Sequence, residues 1–181
     1  MKKVSLKEQT QDLHEEAEKS KFAQLLLSGN INEHQYGTYL ANLLPIYQAI
    51  EGVANQLGLL VGIEDICRVD KIKADIDELK VKATPCVTAY TYMTYVNDFK
   101  TRNDKHLLLA HLYTRHFGDL YGGQIVKKKV PGSGSMYEFE NRNELIGKTR
   151  SILSDDLGKE SRIAFEYAIT LFEDLEYELN L

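Results

Sequence analysis

Apolar positions along this chain recur three and four residues apart, and no stretch alternates apolar and polar residues as a half-buried strand does. Residues 5–16 carry Leu6 and Leu13 on an otherwise polar helix, and 20–28 read as a short second helix closed by Gly29-Asn30. Asn32 is placed to cap a long helix over about 33–57, with Glu33 favourable in its first turn. After a break at 58–62 the pattern predicts a charged helix over 64–81, interrupted near Arg68. Thr84-Pro85 opens the next helix, which runs to about Lys100 with proline in its first turn. Asn103-Asp104 caps a helix over about 105–129, and the loop from Pro131 to Ser135 separates it from a helix over 136–153. The last helix, about 157–179, lays Ile163, Ala164, Ala168, Leu171, Phe172 and Leu175 on one apolar face. No repeat, linker or low-complexity segment divides the chain, so the expected fold is an all-α, single-domain bundle over 1–181.

Composition narrows the partners. A chain of 181 residues can bury a sizeable core, and a net charge of −5 argues against a nucleic-acid partner. Cys67 and Cys86 form no Cys-x-x-Cys pair, which excludes a zinc or iron–sulfur site built on cysteine; two buried free thiols are expected rather than one disulfide. No run approaches the roughly 18 apolar residues a membrane span needs, and residues 1–4 carry no apolar signal region, so no membrane anchor and a cytoplasmic location are expected. No flavin or nicotinamide fingerprint occurs.

The most informative segment lies inside the helix predicted over 105–129. It carries Gly118, Gly122 and Gly123 in mid-helix, and each glycine costs about 1 kcal/mol against alanine there. Gly118 and Gly122 are four apart and share a face of bare backbone. Two readings follow: a flat ligand laid across the helix, or close helix packing with a kink. His106, His111 and His116 are spaced by five, so successive rings point about 140° apart and do not converge on a metal. His116 is turned about 160° from the glycine face, and His34 falls in the first turn of its helix as a surface residue.

The run Ala110-His-Leu-Tyr-Thr-Arg-His-Phe-Gly-Asp-Leu-Tyr-Gly-Gly-Gln124 resembles the distal-helix signature of heme oxygenases. The likeness extends to Leu6–Glu18, which resembles the family's proximal helix, to Pro45–Glu51, and to Lys148-Thr-Arg150 and 165–175; residues 58–100 match weakly. The resemblance implies heme b as substrate and cofactor, O2 as co-substrate, and opening of the ring to biliverdin with release of iron and carbon monoxide. It implies His14 as the iron ligand, with Glu18 one turn on as its partner and Ala17 leaving room for a porphyrin plane. On the distal side it implies Gly118 and Gly122 as the ligand face. Asp119 would hold a water that delivers protons, and Tyr47 and Arg115 would join that network. Lys7, Tyr113 and Arg150 match contacts to the two heme carboxylates, with Lys148 a nearby candidate. Phe165 and Phe172 would line the pocket or the core, with the core preferred.

Tyr121 departs from the pattern, standing where the family has a small residue; it either narrows the distal side or points away and packs. Thr149 replaces a frequent tyrosine, and the loop before the last helix is short. The resemblance further implies ferredoxin or a reductase as electron donor, for which Lys127-Lys128-Lys129 and the rim cations offer a basic face. Whether the product feeds phycobilin synthesis or iron release stays open. A heme carrier would share His14 without needing Asp119 and the glycines. A helical dimetal oxidase needs Glu-x-x-His, which this chain lacks.

Overall fold

Ser5 starts the first helix through a capping box: its Oγ accepts from Glu8 N, and the Glu8 carboxylate accepts from Ser5 N at 2.9 Å. In the computed structural model, which describes residues 4–181, this helix is α1, Leu6–Lys19. Ser20 ends α1 and caps α2 (Lys21–Ser28), which stops at Gly29 in the left-handed conformation. Asn32 caps α3 (Glu33–Gln56) through a second capping box, with Gln35. The break predicted at 58–62 is present, with Gly58 and Gly62 both at positive φ. No strand occurs among the described residues, and no helix there is long and apolar enough to cross a membrane. Helix α3 is the central element. It packs on α4 (Val69–Leu79) and α5 (Val87–Arg102), while the final helix α9 (Gly158–Glu178) packs on α1, α2, α5 and α6 (Lys105–Leu112).

The interruption expected near Arg68 is present: a 3-10 turn, Glu64–Ile66, is separated from α4 by the buried Arg68, whose backbone N–H donates, with that of Val69, to Glu51. Three expectations need correction. Pro85 does not lie in the first turn of α5: Cys86 is the cap and its N–H donates to Asn42 Oδ1 at 2.7 Å, holding the entry extended. The helix predicted over 105–129 is continuous from Lys105 to Lys127, but its middle is a π segment, Tyr113–Phe117, between α6 and α7 (Gly118–Lys127). The helix predicted over 136–153 begins only at Arg142, as α8 (Arg142–Ile152).

Backbone accounting explains the last of these. Ser135 N and Met136 N donate to the buried Asp75 carboxylate, both at 2.9 Å, and Arg68 takes the Met136 and Glu138 carbonyls. Groups that would have started a helix are therefore bonded to α4 and to Arg68. This strap seats Tyr137 against α7: Gln124 Nε2 donates to the Tyr137 carbonyl at 2.8 Å, and a Cβ at Gly123 would lie 2.5 Å from the Tyr137 ring. Gly123 thus serves close packing. Gly123→Ala is expected to destabilise the fold by about 1–3 kcal/mol, the usual cost of overpacking, read as a lowered melting temperature. An unchanged melting temperature contradicts the role assigned to this contact.

Helix α1 is tied to the start of α9. Leu6 N donates to Asp155 Oδ1, Gln9 Nε2 to the Asp155 carbonyl, and the Arg162 guanidinium makes a bidentate pair with Asp12 at 2.6 and 2.8 Å. That pairing holds the Asp12 carboxyl down at about 2. Cys67 and Cys86 are both free, but half-buried rather than buried.

Candidate functional site

Leu6, Thr10 and Leu13 turn one side of α1 into the fold. Lys7, His14 and Glu18 lie on another, exposed side, and Ala17 is half-buried between them. The His14 and Glu18 side chains are 52% and 58% exposed, with Nδ1 3.6 Å from Glu18 Oε1. That places one ring nitrogen towards a carboxylate, short of a hydrogen bond, and Nε2 on the other side of the ring. Phe165 meets the ring edge-on at 5.9 Å. It is half-buried and stands apart from the core, unlike Phe172, which packs on Phe22 and Tyr39.

A second open surface lies on α7. A Cβ built at Gly118 or at Gly122 meets nothing within 4 Å, whereas Gly123 on the same helix is filled by Tyr137. The three glycines therefore divide: one is a packing site and two present bare backbone outward. Of the two readings of the glycine face, an approach surface fits Gly118 and Gly122, and close packing fits Gly123. The π segment just before them carries an extra residue in its turn, a feature that recurs at functional sites.

Beside this face the structure joins Tyr47, Arg115 and Asp119. The Tyr47 hydroxyl donates to Asp119 Oδ2 at 2.5 Å. Burial pushes the Asp119 carboxyl above the usual aspartate range, although the Tyr47 hydrogen bond and the charges of Arg115 and Arg68 pull it back. Arg115 is 7% exposed, and its Nε and Nη2 are buried with no partner among the described residues. Burial opposes its charge, yet Tyr47, Tyr39, Tyr92 and Asp119 around it keep it firmly cationic. Unpartnered buried N–H donors of this kind are expensive, and they mark Arg115 as a group built to meet a water or a ligand.

Tyr121 stays exposed: its ring meets Phe117 edge-on at 4.9 Å, and its hydroxyl accepts from Arg150 Nη2. Arg150 therefore stands beside α7 through Tyr121. Tyr113 is half-buried, with its ring 6.0 Å from Phe117. Lys148 turns to Glu144 on its own helix, at 2.7 Å, and nothing joins it to His14 or to the glycines.

The histidines divide as the spacing requires. His106 pairs with Asp156 at 3.1 Å on the surface, and His34 is exposed. His111 is buried between the Tyr92 hydroxyl at 2.7 Å and Glu160 at 3.1 Å, and burial holds it below the usual histidine range. His116 is buried against Glu51 at 3.0 Å. Neither spacing nor the resemblance gives Glu51 or Arg68 a role at the site. The available signal was register: Glu51 is four residues after Tyr47, on the same face of α3. Despite its burial, Glu51 is held below the usual glutamate range by His116 and by the N–H groups of Arg68 and Val69.

Comparison with known proteins bears on this arrangement. The sequence model of the family described as heme oxygenase matches residues 3–174. A heme oxygenase of Rhodella violacea is 27% identical, the match covering 95% of this chain and 86% of that one. Heme oxygenase-1 of the cyanobacterium Synechocystis, solved in complex with heme, superposes with a TM-score of 0.84 at 24% identity, over 97% of this chain and 92% of that one. Heme oxygenase-2 of the same organism, solved with heme and NO, gives 0.81 at 25% identity over 97% and 85%.

Proposed function

This chain belongs to the heme oxygenase family, and from that premise we propose that it opens heme to biliverdin, releasing iron and carbon monoxide, between the His14 side of α1 and the Gly118–Gly122 face of α7. The observation that carries the site is the division of the glycines: two open Cβ positions beside a buried, unsatisfied arginine and a carboxyl held by a tyrosine. A packed helix needs none of these.

The residues fit the substrate. His14 has one nitrogen facing a carboxylate, the usual arrangement for an imidazole that ligates a metal through the other. Phe165 at the ring edge limits its rotation. Bare backbone at Gly118 and Gly122 accepts a flat macrocycle at van der Waals distance and offers iron no second protein ligand. Heme supplies the iron at which O2 is activated. The protein's part is to exclude other ligands, orient the ring and supply protons. Asp119 is the proton-holding group: Tyr47 orients it, and its raised pKa keeps a proton closer to neutral pH than an exposed aspartate does. Arg115 presents the free donors that would anchor ordered water beside it. Lys7, Tyr113 and Arg150 meet the heme carboxylates, Arg150 together with the Tyr121 hydroxyl. Lys148 is the weaker candidate, because Glu144 already neutralises it.

Electrons come from outside the chain, through ferredoxin or a reductase. Lys127 pairs with Glu138, so the exposed Lys128 and Lys129 are the proposed contacts of an acidic donor. Lys128→Glu with Lys129→Glu is expected to lower ferredoxin-supported turnover severalfold and to weaken its dependence on salt. Equal salt dependence of variant and parent contradicts this docking face.

Gly118→Ala separates ligand approach from folding. The added methyl meets nothing in the free protein, and alanine favours the helix by about 1 kcal/mol. The heme-free protein should melt no lower than the parent, while hemin affinity and turnover fall. Unchanged affinity contradicts the proposed face. The reaction itself is tested by aerobic turnover of added hemin with ferredoxin and its reductase, followed by product identification. Biliverdin with carbon monoxide supports the reading; a stable Soret band with no bile pigment supports a carrier instead.

A further inference from the structure

His116 is the one histidine both buried and joined to the distal network. It lies in the π segment, fully buried, with Nε2 3.0 Å from Glu51 Oε1. The same carboxylate accepts the N–H of Arg68 at 2.5 Å and of Val69 at 3.2 Å. A carboxylate with three donors is an acceptor only, so His116 donates from Nε2. Nδ1 is buried and has no partner among the described residues. Its other contact is with Tyr47: the ring centroids are 4.6 Å apart and tilted by 42°. Tyr47 and Glu51 are four apart on α3, so the imidazole spans both, bonded to one and tilted against the ring of the other. The Tyr47 hydroxyl, in turn, reaches Asp119.

We infer that His116, fixed by Glu51, is a positioning residue that holds the Tyr47 phenol on the Asp119 carboxyl. The inference rests on the reading of Asp119 as the proton-holding group of this site. The imidazole fills the space that would otherwise let the phenol swing, and the Glu51 bond prevents the imidazole itself from turning. Neither a bare aromatic ring nor a bare amide does both. Phenylalanine at 116 keeps the ring contact and leaves Glu51 without its side-chain donor; glutamine keeps a donor and loses the ring contact. The competing account is a core histidine that only fastens the π segment to α3.

The test is a double-mutant cycle read in heme-free protein by the 13C titration of the Asp119 carboxyl. Tyr47 donation favours the ionised carboxyl, so loosening the phenol raises the Asp119 pKa. His116→Gln is expected to raise it in the parent and to change nothing in a Tyr47→Phe background. No shift in the parent background, or the same shift in both, overturns the inference, the second by pointing to a direct charge effect of His116. Should His116→Gln fail to fold, 15N spectra of the parent carry the test: His116 must carry a proton on Nε2 in the bond to Glu51, and a ring whose only proton is on Nδ1 overturns the inference. In the hemin complex, His116→Gln is expected to reduce kcat several-fold with hemin affinity unchanged, and to add nothing to Tyr47→Phe. Failure of the parent to form biliverdin would sink the functional reading, whereas the titration judges the positioning role alone.

Discussion

Replacement of His14 by alanine is expected to abolish the imidazole-ligated spectrum of the hemin complex and to reduce turnover by more than about 100-fold, since even the partners of metal ligands are worth 10–100-fold. Imidazole added in solution should restore part of both, because the ring sits on an exposed helix side and its removal leaves an accessible space beside Phe165. No other histidine is placed to substitute. His111 and His116 are buried and engaged by Glu160 and Glu51, His106 is paired with Asp156, and His34 is exposed in the first turn of α3. Glu18→Gln should give a milder loss, with the iron–imidazole bond weakened rather than missing. A His14→Ala protein that keeps a histidine-ligated spectrum unaided contradicts the assignment.

Replacement of Asp119 by asparagine carries the second large effect. Asparagine keeps the shape and an acceptor for the Tyr47 hydroxyl but has no titratable proton to deliver, so hemin should bind normally while turnover falls by about 10²–10⁴-fold, the range for losing a positioned proton donor. The raised pKa of Asp119 has a stability consequence with a definite sign. The native state binds this proton more tightly than the unfolded chain. The stabilisation is therefore complete below the ordinary aspartate value of about 3.9 and is lost as pH rises through the higher native value. Denaturant melts over that window should show a decline that Asp119→Asn removes. A variant with parental turnover, or melts whose pH dependence is unaltered, contradicts the role given to this carboxyl.

The helices were legible because their signals are local. Ser5 with Glu8 and Asn32 with Gln35 form capping boxes readable from the sequence, and the core face of α9 follows from spacing. The errors fall where side chains from distant segments capture backbone groups. Asp75 takes the N–H groups of Ser135 and Met136 across 60 residues, and Asn42 takes that of Cys86 across 44, so helical sequence stays non-helical. Periodicity has no access to such partners. The π segment was hidden for a related reason, because its residues read as ordinary helix formers.

At the site, the residue types were visible and their division was not. The sequence treats Gly118, Gly122 and Gly123 alike, and only Tyr137, brought in by the strap from α4, distinguishes the packed glycine from the open two. Tyr47 and Asp119 were paired by resemblance and then found 2.5 Å apart. Glu51 and His116 lie within the matching segments, but the resemblance gives them no role; their bond joins two elements 65 residues apart.

The central claim is that iron is held by His14 with the bare backbone of Gly118 and Gly122 across the macrocycle. The most direct measurement is a crystal structure of the hemin complex. The account predicts iron on His14 Nε2, Glu18 at Nδ1, the porphyrin over the two glycines and the carboxylates towards Lys7, Tyr113 and Arg150. Hemin bound through another histidine, or lying away from the glycine face, contradicts it.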